Sequence, residues 1–280
     1  MKIIIAKDAG YCFGVRDAVN MAYDAAEKFG EVYMLGDIVH NENVVDDLAK
    51  AGAKVVEKLD DIPPNSSVLF RAHGTKNNIW SDAEKKGFNI IDATCPLVHE
   101  IHHEVKKLEE EGRKIIVIGD HGHDEVVAIA DQVQSPVVVS SKQEANDLRK
   151  IKKAGVVSQS TQMIENVQEI VNVLMTKVFD LRFVNTICYP TKRNHEQIKV
   201  LSETSDVMII IGSFTSANSK RLTELSKQRN KNSYQVTSSD DIDVEWFRDC
   251  KTVGISAGAS TPDYLIDQVK DKINKISEVK

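Results

Sequence analysis

The stretch Asn89-Ile90-Ile91-Asp92-Ala93-Thr94-Cys95-Pro96 decides how this chain is read: an apolar run of strand character ends in a polar turn that carries one cysteine. Two other stretches have the same form. Lys2-Ile3-Ile4-Ile5-Ala6 leads into Gly10-Tyr11-Cys12-Phe13-Gly14, and Phe183-Val184-Asn185-Thr186-Ile187 leads into Cys188-Tyr189-Pro190. Counting onward, Cys12 to His40, Cys95 to His123 and Cys188 to Ser216 are each 28 positions (40 − 12, 123 − 95, 216 − 188). A further polar turn follows in each module: Arg71-Ala72-His73-Gly74, Ser158-Gln159-Ser160-Thr161 and Ser256-Ala257-Gly258-Ala259-Ser260. Nine loops thus fall into three sets of three. The periods of 83 and 93 residues (95 − 12, 188 − 95) far exceed the roughly 20–50 of solenoid repeats. The pattern predicts three copies of one small domain, over 1–94, 95–187 and 188–280, with the N-terminal strand and the Cys12 loop near the centre.

Length agrees, because 280 residues is more than one core of roughly 100–200 residues usually holds. With 41% hydrophobic and 28% charged residues, and only 6 Pro and 14 Gly, the composition is that of a folded globular chain. A net charge of −6 argues against general nucleic-acid binding, which needs a basic face. The four apolar residues before Lys7 and Asp8 are too few for a signal-peptide core, and no run approaches the ~20 residues of a membrane span. The expected location is the cytoplasm. There the four cysteines, none in a CxxC pair, are not expected to form disulfides.

Outward from the first cysteine, Val15, Val19, Ala22, Ala26 and Phe29 recur at helical spacing, and Gly30 stands where a helix cap belongs. Val32 to Leu35 reads as a short buried strand, Asn43 to Ala51 as a second helix closed by Gly52, and Val68 to Phe70 as another strand. The second module repeats this order: a helix from Cys95-Pro96 through Glu111, strands at Lys114–Ile118 and Val137–Val139, and a capping box at Ser141-Lys142-Gln143-Glu144. In the third, strands at Val207–Ile211 and Thr252–Ile255 precede a last helix opened by Thr261-Pro262. Alternation of this kind specifies an α/β fold with mainly parallel sheets, and ligands bind beyond the carboxyl ends of such strands.

Three cysteines on equivalent loops would converge on a pseudo-threefold axis. Three thiolates suit an iron–sulfur cubane whose fourth iron is open to substrate. Buried structural cysteines are the plainer reading by residue type, but the shared offset and the polar settings favour ligation. Cys250 lies outside the repeated positions and is read as structural. The other six loops carry His40, His73, His123, Ser160, Thr161, Ser216, Asn218 and Ser260. Imidazoles, hydroxyls and an amide beside helix N-termini suit a phosphorylated anion. His99, His102 and His103 are read as a solvated helix face, while His121 and His195 stay unassigned. No GxGxxG follows a strand and no GxxxxGK[ST] occurs, so any electrons are expected from another protein rather than a bound nicotinamide.

These residues resemble a known family. Tyr11-Cys12-Phe13-Gly14-Val15-Arg16, Leu35-Gly36 with Val39-His40-Asn41, Arg71-Ala72-His73-Gly74, Asp92-Ala93-Thr94-Cys95-Pro96, His123 with Glu125, Ser158-Gln159 with Thr161, Ser216-Ala217-Asn218-Ser219 and Ala257-Gly258-Ala259-Ser260 are similar, in order and over nearly the whole length, to the 4-hydroxy-3-methylbut-2-enyl diphosphate reductases. The resemblance implies a trefoil of three α/β domains around one [4Fe–4S] cluster held by Cys12, Cys95 and Cys188. It also implies two-electron reduction of an allylic alcohol diphosphate, with loss of water, to isopentenyl and dimethylallyl diphosphate, with reduced ferredoxin or flavodoxin as donor. By the same resemblance His40, His73, His123, Ser216, Asn218 and Ser260 grip the diphosphate, and Glu125 with the Ser160-Thr161 pair delivers protons. Ser160 replaces a common threonine and Ala217 a common serine, which leaves open whether residue 160 or 161 touches substrate. A non-redox iron–sulfur dehydratase would use the same open iron without a reductant. A cluster-based sensor would bind a partner or DNA, against which the acidic charge and the six anion-type loops speak.

Overall fold

A strand in the middle of a parallel sheet is covered on both faces, so its sequence is a continuous apolar run rather than an alternation. Residues 115–118 (Ile-Ile-Val-Ile) and 207–211 (Val-Met-Ile-Ile-Ile) are such runs, and every residue of both is buried. The computed structural model describes residues 1–278. The strands are β1 (Lys2–Ile5), β2 (Val32–Leu35), β3 (Ala53–Val56), β4 (Ser67–Phe70), β5 (Asn89–Asp92), β6 (Lys114–Ile118), β7 (Val137–Val139), β8 (Ile151–Ser158), β9 (Val178–Phe183), β10 (Val207–Ile211), β11 (Ser233–Val236) and β12 (Thr252–Ala257). The helices are α1 (Phe13–Phe29), α2 (Glu42–Lys50), α3 (Asn77–Lys85), α4 (Pro96–Glu110), α5 (Asp124–Ala130), α6 (Lys142–Asp147), α7 (Ile164–Lys177), α8 (Tyr189–Thr204), α9 (Ala217–Lys227) and α10 (Asp263–Glu278).

The fold is α/β, with three four-stranded sheets in which every pairing is parallel: β3-β2-β4-β5, β7-β6-β8-β9 and β11-β10-β12-β1. The order is the same in each, with one cyclic difference: the last place of the third sheet is taken by the N-terminal strand, Lys2–Ile5 registering with Thr252–Ile255. Sheet pairing therefore puts β1 with the third module, whereas the reading over 1–94 counts it with the first. The cause is connectivity. After the last strand of each sheet the chain passes a cysteine and one long helix into the next sheet: β5, Cys95 and α4 to β6; β9, Cys188 and α8 to β10; β1, Cys12 and α1 to β2. The chain forms two compact units, residues 1–16, 39–47 and 189–280 with the sheet containing β1, and residues 17–38 and 48–188 with the other two sheets.

Local signals explain the element ends. Gly30 and Gly52 have φ of 79° and 107°, and a Cβ on Gly52 would lie 2.4 Å from the Gly30 carbonyl oxygen, so glycine is required at that closure. Ser141 caps α6 by accepting from the Glu144 N–H at 3.3 Å, as half of the expected capping box. The Glu144 carboxylate departs from the pattern and binds the N–H and hydroxyl of Ser140, both at 2.8 Å. The Thr261 hydroxyl donates to the Ile211 carbonyl at 3.0 Å, tying the start of α10 to the end of β10. β9 ends at Phe183, so residues 184–188 approach the third cysteine as a loop rather than as strand.

The cysteine helices are seated alike. A Cβ on Gly155 of β8 would lie 2.9 Å from the Cβ of Leu108, and one on Gly254 of β12 would lie 2.8 Å from the Cγ of Leu201. Leu108 and Leu201 are each 13 positions after their cysteine (108 − 95, 201 − 188). Glycine lets α4 and α8 press onto their sheets. Gly155→Ala is expected to lower stability by about 1–3 kcal/mol, the usual cost of overfilling a core. A reduced urea midpoint at unchanged slope would show it.

Candidate active site

Each of the three repeated cysteines immediately precedes the first residue of its helix, Phe13, Pro96 or Tyr189. Each is held by the same bond. Cys12 N–H donates to the Ala259 carbonyl at 3.3 Å, Cys95 N–H to Ala72 at 3.0 Å and Cys188 N–H to Ser160 at 2.9 Å, so every cysteine loop is fastened to the third loop of its own sheet. None of the four cysteines forms a disulfide, and all are half-buried. A helix N-terminus stabilises negative charge placed there, which suits a thiolate ligand. Cys250 differs, with its Sγ on the Thr252 carbonyl at 3.3 Å and its side chain against the core of its sheet.

In the unit with the single sheet, the Ser216 hydroxyl caps α9 by accepting from Ser219 N–H at 3.3 Å. Asn218 is buried, and its Nδ2 has no hydrogen-bond partner among the described residues. Ser219 is wholly buried, and a Cβ on Gly212 or on Gly258 would lie 2.2 Å from its hydroxyl. The same Cβ on Gly258 would stand 3.7 Å from Asn218 Nδ2, which places the amide beside the loop of Ser260. The Ser260 hydroxyl donates to the His40 carbonyl at 3.1 Å, and the Asn41 side chain, not His40, caps α2 through Val44 N–H at 3.3 Å. A buried amide donor left unpaired carries a desolvation cost that an anionic ligand would remove.

In the unit with two sheets, His123 caps α5, its Nδ1 accepting from Glu125 N–H at 3.2 Å. That bond assigns the proton to Nε2, leaving it as a donor. The His73 and His123 rings meet edge to face, with centroids 5.7 Å apart. Arg71 pairs with Asp124 at 2.7 Å, joining the loops that bear the two histidines. Glu125 is 2% exposed and accepts from the Ser160 N–H at 2.5 Å and the Ser160 hydroxyl at 2.7 Å. The Gln159 amide accepts from Asp120 N–H at 3.1 Å and donates to the Thr161 hydroxyl at 3.2 Å. Ser160 thus gives Glu125 a hydroxyl, and Thr161 accepts from Gln159.

The loop before α5 is braced from outside. His121 pairs with Glu144 at 2.8 Å, and the Ser140 N–H first, then His121, hold the Glu144 carboxyl down at about 2. His99, exposed as expected, pairs with Asp92 at 2.9 Å. His102 corrects the solvated-face reading: it is 8% exposed, and burial first, then the His99 charge, push its pKa down to about 4. His195 is 4% exposed. The spacing holds a signal for both, because each is 7 positions after its cysteine (102 − 95, 195 − 188), where the first module has the buried Val19.

Comparison with known proteins gives one answer. Residues 3–274 match the family described as LytB protein. A protein of Geobacter sulfurreducens named 4-hydroxy-3-methylbut-2-enyl diphosphate reductase is 40% identical over 281 residues, covering 100% of this chain and 99% of the relative. One of the same name from a Thermoanaerobacter species is 37% identical, covering 98% and 96%. A solved structure of (E)-4-hydroxy-3-methyl-but-2-enyl diphosphate reductase superposes with a TM-score of 0.72 at 37% identity, covering 98% of this chain and 99% of the other. The E-1-hydroxy-2-methyl-but-2-enyl-4-diphosphate reductase of Plasmodium falciparum superposes at 0.92 with 28% identity, covering 98% and 87%.

Proposed function

This chain belongs to the LytB protein family, and from that membership we infer that it reduces 4-hydroxy-3-methylbut-2-enyl diphosphate to isopentenyl and dimethylallyl diphosphate. The carbon–oxygen bond to the hydroxyl is broken, two electrons and two protons are taken up, and water leaves. The observation that carries the reading is the threefold cysteine setting: three cysteines outside any disulfide, each at a helix start and each fastened by the same backbone bond. That donor set fits a [4Fe–4S] cluster held by Cys12, Cys95 and Cys188 with one iron left without a protein ligand. When bound, the cluster supplies the electrons and a Lewis-acid position.

The remaining tasks fall to the protein. His40, His73, His123, Ser216, Asn218 and Ser260 take the diphosphate, donating from imidazole, hydroxyl and amide to an anion withdrawn from water. Glu125 holds the proton for the departing hydroxyl, and the Ser160 hydroxyl passes it on. Thr161, oriented by Gln159, completes that donor group. Electrons arrive from a reduced ferredoxin or flavodoxin. No described helix is long and apolar enough to cross a membrane, and the cytoplasm is the proposed location. Three domains meeting at 94 and 187, each boundary beside a repeated cysteine, complete the proposal.

Anaerobic purification with iron and sulfide analysis, followed by turnover of the diphosphate with and without reductant, tests the whole reading. Turnover without reductant would favour the non-redox dehydratase, which the names of the relatives do not support. Alanine at His73 or Asn218 is expected to weaken substrate binding about tenfold, from loss of one charge-assisted hydrogen bond of ~1.5–3 kcal/mol. Calorimetry under nitrogen measures this. Unchanged affinity in both variants would place the diphosphate elsewhere.

A further inference from the structure

His102 lies on the buried face of α4 with Val98, Ile101, Val105 and Leu108. Its Nε2 is buried and has no hydrogen-bond partner among the described residues. A neutral imidazole that spends no hydrogen bond from that nitrogen contributes through its shape. What the shape meets is Gly74, the residue after His73. A Cβ on Gly74 would lie 2.9 Å from His102 Cε1, 3.3 Å from its Nε2 and 3.3 Å from Ala128 Cβ of α5. Gly74 has φ of 88°, a conformation that glycine alone adopts without strain. The His73 loop is therefore wedged between α4, which starts at Cys95, and α5, which starts at His123.

We propose that His102 is a positioning residue of the diphosphate site: its ring seats Gly74 and so fixes His73 against His123. The inference rests on the reading that His73 grips the anion. The ring also forms one wall of a cleft of about 310 Å³ with Thr75, Trp80, Thr94 and Lys106. Removing the ring opens space into which the Gly74 backbone relaxes, turning His73 away from His123. The same position of the first module is the buried Val19 and that of the third the buried His195, so the place is filled in all three.

The test uses the cluster-loaded protein under nitrogen, with inorganic diphosphate as the calorimetric probe and the substrate for kinetics. His102→Ala is expected to raise the Kd for inorganic diphosphate and the KM about tenfold, with kcat changed by less than about twofold and iron content unchanged, the pattern of lost ground-state binding. His102→Phe, which keeps a ring, is expected to restore most of the affinity. A double-mutant cycle isolates the contact. Gly74→Ala is expected to cost more affinity in the parent than in the His102→Ala background, since the clash with the ring is present only in the parent. Additive losses, or His102→Ala at parental affinity, would overturn the inference. If His73→Ala weakens binding while His102→Ala does not, only this inference fails. If His73→Ala itself leaves affinity unchanged, the anion assignment fails with it.

Discussion

Serine at Cys95 is expected to abolish the proposed cluster: visible absorbance and iron fall, and turnover drops by more than the 10–100-fold typical of losing an outer-shell partner. Cys95 precedes Pro96 at the start of α4, and its N–H is bound to Ala72. Backbone geometry is thus fixed without the sulfur, and a hydroxyl in its place leaves the fold standing. What it removes is the soft thiolate, which an alkoxide does not replace as a cluster ligand. The same substitution at Cys12 and Cys188 is expected to act alike, because their loops are fastened by equivalent bonds. Cys250→Ser is the control. Its sulfur donates to Thr252 in the body of a sheet, a role a hydroxyl fills, so iron content and turnover are expected to stay at parental levels. Full iron in purified Cys95→Ser protein would remove the cysteine set from the cluster, whatever the activity.

How much of this was legible follows from what repeats and what does not. The buried strands were visible because parallel pairing demands unbroken apolar runs, as in residues 115–118 and Val207–Ile211. The cysteine loops were visible because the residue type and the offset of 28 coincide. The place of β1 was not. A strand reads the same whichever sheet accepts it, and its pairing with β12 is a contact across some 250 residues, from Lys2 to Thr252, that no local pattern encodes. His102 was misread for a related reason. The helix carrying it is crowded with Glu and Lys, and the Gly74 backbone that covers its ring comes from a segment nearly thirty residues earlier. The contacts of Ser160 and Thr161 were also beyond the sequence. Adjacent hydroxyls in a turn are equivalent until the turn is built; here the Ser160 carbonyl accepts from Cys188 N–H and the Ser160 hydroxyl donates to Glu125. In hindsight the repeat held a hint: Ala72 and Ala259, the other acceptors of cysteine N–H groups, have no hydroxyl where Ser160 has one.

Glu125→Gln is expected to keep the cluster and the substrate affinity while turnover falls by on the order of 10² or more, the usual contribution of a general acid. Loss of hydroxide from carbon is slow unless the oxygen is protonated or metal-bound, and Glu125 is a carboxyl 2% exposed with a hydroxyl on its outer oxygen. The backbone bond decides how glutamine sits. Ser160 N–H only donates, so the amide oxygen must face it and the amide nitrogen must face the Ser160 hydroxyl. Shape and both contacts survive, but the hydroxyl now accepts and no group behind it gives up a proton. Ser160→Ala is therefore expected to lower turnover in the same direction with cluster and affinity retained, and Ser160→Thr to recover it. The competing account is that Glu125 serves the first turn of α5, where an acid is worth ~0.3–1 kcal/mol. It predicts a small change in thermal midpoint and normal turnover. Asp124 is the other carboxyl on the loop, but it is engaged with Arg71 at 2.7 Å and braces the His73 loop. Asp124→Asn is expected to weaken substrate binding more than it slows the bound complex. Glu125→Gln turning over at the parental rate, with Asp124→Asn inactive at saturating substrate, would move the proton to Asp124 and leave the buried Glu125–Ser160 pair a purely structural bond.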